Sequence, residues 1–208
     1  MEDALRAGAG EAGLTLIETL GWTGTGFPRL DLHLQRLTVS AARLGWLCDG
    51  VAVEAALRAA VGAGPVRVRL TLDKRGRMAV TVAELPGVVP VWAVGLASVR
   101  LASGDPWLGV KSSRRAVYDA ARAAMRAGLD EVVLVNERGE VCDGSITTLF
   151  FDRGHGMRTP PLSSGLLPGV LRAEMAVPEQ VLMMGDLPLV RLWVGNSLRG
   201  LMAARWVG

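Results

Sequence analysis

The spacing of apolar residues changes period along this chain, and that change restricts the fold more than any single residue does. Leu30, Leu34, Leu37, Ala41 and Leu44 recur every three or four positions, the signature of one helix face over about four turns. Gly45 stands where that helix should stop. Further on the period becomes two. Residues 66–72 and 78–85 alternate or run apolar on either side of Asp73-Lys74-Arg75-Gly76-Arg77, which reads as a β-hairpin. Segments 13–21, 89–101, 131–136, 146–151 and 190–194 also read as strands, and 53–61, 113–126 and 168–176 as helices. Ser112 or Ser113 is the expected N-cap of the 113–126 helix and Gly128 its stop. Pro168 fits the first position of the 168–176 helix. The pattern predicts a mixed α+β (α/β) chain. Ser103-Gly104-Asp105-Pro106 breaks it, giving an expected N-terminal α/β domain over 1–102 and a C-terminal domain over 103–208.

Half of the 208 residues are hydrophobic, enough for a substantial core. No apolar stretch reaches the roughly 18 residues a membrane span needs. The start, Met1-Glu2-Asp3-Ala4-Leu5-Arg6, lacks the basic-then-apolar order of a secretory signal. Cys48 and Cys142 make no disulfide framework, and with only His33 and His155 no zinc-ligand spacing occurs. A cytoplasmic protein without a metal is expected. The net charge of +3 comes from arginines scattered among acids, with no aromatic-rich basic strand, so nucleic acid is not an expected partner.

Of 23 basic residues only Lys74 and Lys111 are lysine. Arginine stays protonated in proteins, whereas a buried lysine can lose its proton and attack a carbonyl. Lys74 lies in the polar hairpin turn. Lys111 lies in Gly109-Val110-Lys111-Ser112-Ser113-Arg114-Arg115, just ahead of an expected helix, and is the candidate nucleophile. Three further segments carry polar or glycine-rich signals. They are His33-Leu34-Gln35-Arg36-Leu37, then 141–150 with Asp143 and Thr148, and then 159–172, where a small loop leads into the Pro168 helix. Free N–H groups at a helix start suit phosphate; an ordinary loop-to-helix junction is the plainer alternative.

Taken in order, these segments resemble the class IV aminotransferase family, the fold-type IV pyridoxal-phosphate enzymes. The likeness runs from Leu16-Ile17-Glu18-Thr19 to Gly195-Asn196-Ser197-Leu198-Arg199-Gly200. Asn136-Glu137-Arg138-Gly139-Glu140-Val141 and Ser164-Gly165-Leu166-Leu167-Pro168-Gly169 are its most specific parts. The resemblance implies two α/β domains with pyridoxal 5′-phosphate between them. It makes Lys111 the Schiff-base lysine and proton carrier, and Arg36, the N–H groups of Val170 and Leu171, and Asn196 the phosphate ligands. Asp143 falls where the family has glutamate against the pyridine nitrogen. Being one methylene shorter, it implies a local shift or a water. Thr148 replaces a common asparagine, and Val110 a common histidine. Arg114 and Arg115 are candidates to depress the Lys111 pKa.

Arg67 and Arg69, two residues apart, point to one face of their strand. The resemblance makes them substrate-carboxylate ligands; a solvated strand face is the alternative. Glu18 aligns with a pocket-lining strand, with a structural role as the stronger expectation. Tyr118, the only tyrosine, is expected to pack in its helix. The segment 195–200 resembles the lyase branch, which implies conversion of 4-amino-4-deoxychorismate to 4-aminobenzoate and pyruvate in folate precursor synthesis. The alternatives are an aminotransferase acting on branched-chain or D-amino acids, and a family member that has lost turnover. A homodimer is implied.

Overall fold

The structure, a computed structural model, describes residues 2–208. The chain forms two compact units. The first holds residues up to Gly87 together with Val110–Arg114, and the second holds Val88–Gly109 and Arg115–Gly208.

In the first unit, helix α1 (Glu2–Gly8) precedes strand β1 (Leu16–Trp22), helices α2 (Leu30–Leu44) and α3 (Gly50–Ala59), and strands β2 (Val66–Leu72) and β3 (Met78–Ala83). The strands form an antiparallel sheet in the order β1-β2-β3. One face presents Leu16, Leu20, Val68, Leu70 and Leu72, all 1% exposed or less, to the side covered by α2 and α3. Each such side chain stabilises the unit by roughly 1.5–3 kcal/mol relative to exposure. The helical spacing read from the sequence matches α2 to the residue, and Gly45 ends it in the left-handed region at φ 69°. Helix α3 begins earlier than residue 53, because the Asp49 carboxylate accepts the N–H groups of Val51 and Ala52.

The returning segment Val110–Arg114 lies along the free edge of β1. Leu16 and Ser112 form an antiparallel bridge, with Ile17 N–H donating to the Lys111 carbonyl (2.9 Å) and Ser113 N–H to that of Thr15 (2.8 Å). This corrects the expected helix over 113–126. Ser113 Oγ is taken by Thr15 N–H at 3.0 Å, so it does not cap a helix. Helix α4 runs only over Ala116–Ala123.

The second unit contains β4 (Val91–Leu101), α4, β5 (Glu131–Asn136), β6 (Val141–Gly144), β7 (Thr148–Asp152), α5 (Val170–Met175), β8 (Arg191–Asn196) and β9 (Gly200–Trp206). The sheet order is β6-β5-β4-β9-β8-β7, with β4 parallel to both β5 and β9. Its two end strands, β6 and β7, are joined by residues 145–147 alone, and Gly144 N–H donates to the Thr147 carbonyl at 2.7 Å. The sheet therefore curls until its edges meet. Trp92, Val94, Val133, Val135, Leu149, Phe151 and Val194 fill one side of it. The strand expected over 146–151 is β7, shifted to begin at Thr148, and β6, just before it across the seam, was not expected. The expected Pro168 helix starts at Val170, because Gly169 is extended (ψ 144°) and serves as the N-cap.

Candidate active site

In the first unit, register decides which side chains share a face. Opposed residues of an antiparallel pair point the same way. Lys111 stands opposite Ile17, Ile17 opposite Thr71, Thr19 opposite Arg69, and Gly21 opposite Arg67. Lys111, Arg69 and Arg67 consequently lie on the sheet face away from α2. Two strand spacings and two residues separate the Lys111 and Arg69 backbones by ~12 Å, and Arg67 lies at ~17 Å. Both arginines are exposed, and Thr19, Thr71 and Thr81 share their face.

Glu18 and Arg36 are on the opposite face. Glu18 is 3% exposed and accepts Arg36 Nε at 2.8 Å, Arg36 Nη2 at 2.6 Å and the His33 ring at 2.6 Å. Burial pushes the Glu18 carboxyl up, but the Arg36 charge and the His33 and Arg36 hydrogen bonds outweigh it and hold it below the ordinary carboxylate value. The structure thus gives Glu18 a definite partner in orienting Arg36. It separates these two residues from Lys111 by the thickness of the sheet.

In the second unit, a bulge governs Asp143. Val135 pairs with Val141 and Val133 with Gly144, so Cys142 and Asp143 together oppose Leu134. Cys142 packs in a cluster with Leu134, Leu101, Leu108 and Leu166, against which Tyr118 of α4 also rests. Asp143 is 5% exposed. Burial and then the Asp143 charge push the Cys142 thiol up to about 12 and move the Tyr118 hydroxyl well above its ordinary value. The Tyr118 hydroxyl oxygen is buried without a hydrogen-bond partner.

Across the seam, Thr148 pairs with Gly195, and helix α5 starts over both. A Cβ on Gly169 would lie 2.6 Å from Thr148 Oγ1, and one on Gly195 would lie 2.5 Å from Leu171 Cδ2. Glycine at these two positions lets the Val170 and Leu171 backbone settle onto the sheet. The first N–H groups of a helix have no intrahelical partner. At six residues, however, α5 offers a much smaller dipole than the longer helix expected from the sequence. Asn196 Nδ2 donates to the Ile146 carbonyl at 3.2 Å, while its Oδ1 accepts the N–H groups of Leu198 and Arg199. Arg115 uses its guanidinium on Asp119 (3.1 Å) and the Ser145 carbonyl (3.2 Å).

One residue escaped the sequence reading. Glu131, at the head of β5, is fully buried. Its carboxylate accepts Ser145 N–H (3.0 Å), Ser145 Oγ (2.5 Å), Ile146 N–H (3.2 Å), Thr147 Oγ1 (2.8 Å) and its neighbour Val132 N–H (3.0 Å). The signal was a lone acid opening an otherwise apolar strand. Among the described residues no cluster of histidine, cysteine or carboxylates could hold a metal, and no helix is long and apolar enough to cross a membrane.

The pattern that defines amino-transferase class IV matches residues 15–207, and the chain belongs to that family of enzymes. Particular relatives differ in what they are called. A Schizosaccharomyces pombe protein provisionally named an aminodeoxychorismate lyase is 31% identical over 173 residues, spanning 77% of this chain and 72% of its own. A Mesorhizobium loti structure provisionally named an amino-acid aminotransferase is 42% identical with a TM-score of 0.89, covering 93% of this chain and all of that one. The 4-amino-4-deoxychorismate lyase of Pseudomonas aeruginosa is 23% identical with a TM-score of 0.80, covering 92% and 82%, which is a likeness of fold.

Proposed function

We propose that this chain is a pyridoxal-phosphate-dependent lyase that converts 4-amino-4-deoxychorismate to 4-aminobenzoate and pyruvate, a step toward folate. The observation that carries the reading is the shared sheet face of Lys111, Arg69 and Arg67. The substrate has one amine and two carboxylates. One amine and two guanidinium groups at graded distances on one face are complementary to it, and guanidinium is the side chain best shaped for carboxylate. The name of the S. pombe relative points the same way.

Three features favour pyridoxal phosphate as the cofactor. A carboxylate, Asp143, is aimed by a bulge. Beside it lies a buried hydroxyl, that of Tyr118, with its hydrogen-bonding capacity unused. Close packing at Gly169 and Gly195 also seats the start of a helix, with its free backbone N–H groups, against the sheet beside Thr148. When bound, the cofactor supplies an aldehyde and a protonated pyridine ring that withdraws electrons. Lys111 binds that aldehyde and carries the proton at the substrate carbon bearing the amine. Asp143 holds the proton on the ring nitrogen. The N–H groups of Val170 and Leu171, and Asn196, hold the phosphate, and Arg36, held by Glu18 on the other side of the sheet from Lys111, adds its positive charge toward it. Arg67 and Arg69 hold the substrate carboxylates. Loss of that proton and cleavage of the bond between the ring carbon and the ether oxygen make the ring aromatic and release the enol of pyruvate, which takes a proton at its methylene carbon to become pyruvate. The reading includes a homodimer acting in the cytoplasm, with the two compact units, divided after Gly87 rather than after residue 102, as its two domains.

The test is formation of 4-aminobenzoate and pyruvate in equal amounts from 4-amino-4-deoxychorismate, together with retention of cofactor on Lys111 after borohydride reduction. A cofactor-loaded protein that forms neither product but passes amino groups to keto acids would rule out the lyase. That second reading, an aminotransferase, is favoured by the name and 42% identity of the M. loti relative.

A further inference from the structure

The loop over 145–147 joins the two strands that close the second unit's sheet, and candidate cofactor ligands lie on both sides of it. Asp143 comes just before the loop, on β6. Thr148 comes just after it, on β7, beneath Gly169 at the start of α5. Asn196 reaches the loop from β8 through the Ile146 carbonyl. The distance from Asp143 to the α5 backbone is therefore set by the path of three residues.

Glu131 holds that path from below. Four of its five accepted hydrogen bonds come from residues 145–147, two from backbone N–H groups and two from hydroxyls. Arg122 Nη1, from α4, donates to Ser145 Oγ at 3.1 Å, and Arg115 Nη2, from the residue just before α4, to the Ser145 carbonyl at 3.2 Å. Gly144 has no room for a side chain. A Cβ there would lie 2.3 Å from Thr147 Oγ1 and 2.8 Å from Glu131 Oε2. The carboxylate, the glycine and the loop thus form one close-packed unit.

We propose that Glu131 is a positioning residue for the cofactor, fixing Asp143 at the spacing from the α5 backbone that lets a pyridine nitrogen and a phosphate on one molecule be held together. The proposal rests on the assignment of Asp143 to the ring nitrogen made above. A carboxylate suits the task because it accepts from every donor the loop presents. Glutamine keeps the shape but turns an NH2 toward a loop of donors, and the loop must shift to relieve it.

The probes are pyridoxal 5′-phosphate and its 1-deaza analogue, in which carbon replaces the ring nitrogen. Their affinities for the full-length chain are measured by equilibrium dialysis. The wild-type protein should prefer pyridoxal phosphate by roughly ten-fold or more, the value of one hydrogen bond to a charged group. Asp143→Ala, which leaves neither a donor nor an acceptor for the ring nitrogen, should abolish that preference. Glu131→Gln should reduce it to about two-fold or less while retaining a cooperative melt. A purely structural role would weaken both ligands alike and leave the ratio at its wild-type value, and that result overturns the proposal. A preference that persists in Asp143→Ala removes the ring-nitrogen assignment and this proposal with it. If Glu131→Gln does not fold, the ratio is read in Ser145→Ala and Thr147→Val, each of which removes one donor. Wild-type ratios in both overturn the proposal, and a reduced ratio in either supports it.

Discussion

Glu18 and Glu131 are both buried carboxylates on β-strands, yet opposite chemistry satisfies them. Glu18 is met by charge, from Arg36 through two hydrogen bonds and from His33 through a third. Glu131 is met mainly by neutral donors, two hydroxyls and three backbone N–H groups, with the Arg122 guanidinium farther off at 3.7 Å. The difference shows what each can organise. An ion pair with two parallel hydrogen bonds fixes the plane of one guanidinium and leaves the backbone alone. Donors from three consecutive residues fix a stretch of main chain. The first unit thus uses a buried acid to aim a side chain, and the second uses one to shape a loop.

The largest effect should come from removing the shaper. Glu131→Ala leaves several buried donors without an acceptor, each costing about 1–3 kcal/mol before relaxation. Water entry and loop movement recover part of this, so a net loss of ~4 kcal/mol is expected in urea unfolding of the full chain. Glu18→Ala strands Arg36 and His33, but Arg36 is already partly exposed and can swing toward water. A loss of ~3 kcal/mol is expected, at the lower end for a broken buried pair. Equal losses, or a reversed order, would break the contrast between the two acids.

Acid sharpens the same contrast. The folded Glu18 pKa lies below its unfolded value. Its contribution is then fully present above the unfolded pKa and is lost as pH falls through the folded one. The unfolding free-energy gap between wild type and Glu18→Gln should be flat near neutrality and narrow below about pH 4.5, the range where an unfolded glutamate takes up its proton. A gap that widens on acidification would contradict the ion-pair account. Gly144→Ala tests the packing around Glu131. With contacts of 2.3 and 2.8 Å to relieve, it should cost ~2 kcal/mol, as overpacking does.

What the sequence made legible follows the range of the interactions involved. Helix α2 and the β2–β3 hairpin were readable because their apolar period and turn residues are local. The helix expected over 113–126 was overextended because Ser113 is engaged by Thr15, 98 positions away, and no local pattern reports such a partner. The seam between β6 and β7 was missed because residues 141–151 are apolar or small nearly throughout and almost all buried, which erases the alternation that marks a strand's ends. Lys111, Asp143 and Asn196 are candidates on motif order alone. That Arg36 lies across the sheet from Lys111, and that a bulge turns Asp143, depended on register, which a single sequence does not display.

The smallest expected effect concerns Tyr118 and has the opposite sign. Its hydroxyl is buried beside Asp143 with no hydrogen-bond partner, so the folded chain loses the water bonds of that group and gains nothing in return. An unsatisfied buried hydroxyl costs about 1–3 kcal/mol, and partial solvation in the unfolded and folded ensembles trims the recoverable part. Tyr118→Phe should therefore raise the stability of the cofactor-free chain by ~1 kcal/mol, where loss of an ordinary hydrogen bond would lower it by as much. If the hydroxyl is kept for a ligand, the same substitution should weaken pyridoxal phosphate binding by roughly five-fold, equivalent to one neutral hydrogen bond. A variant both less stable without cofactor and unchanged in cofactor affinity would place the hydroxyl in the core, with no part in the site that Glu131 shapes.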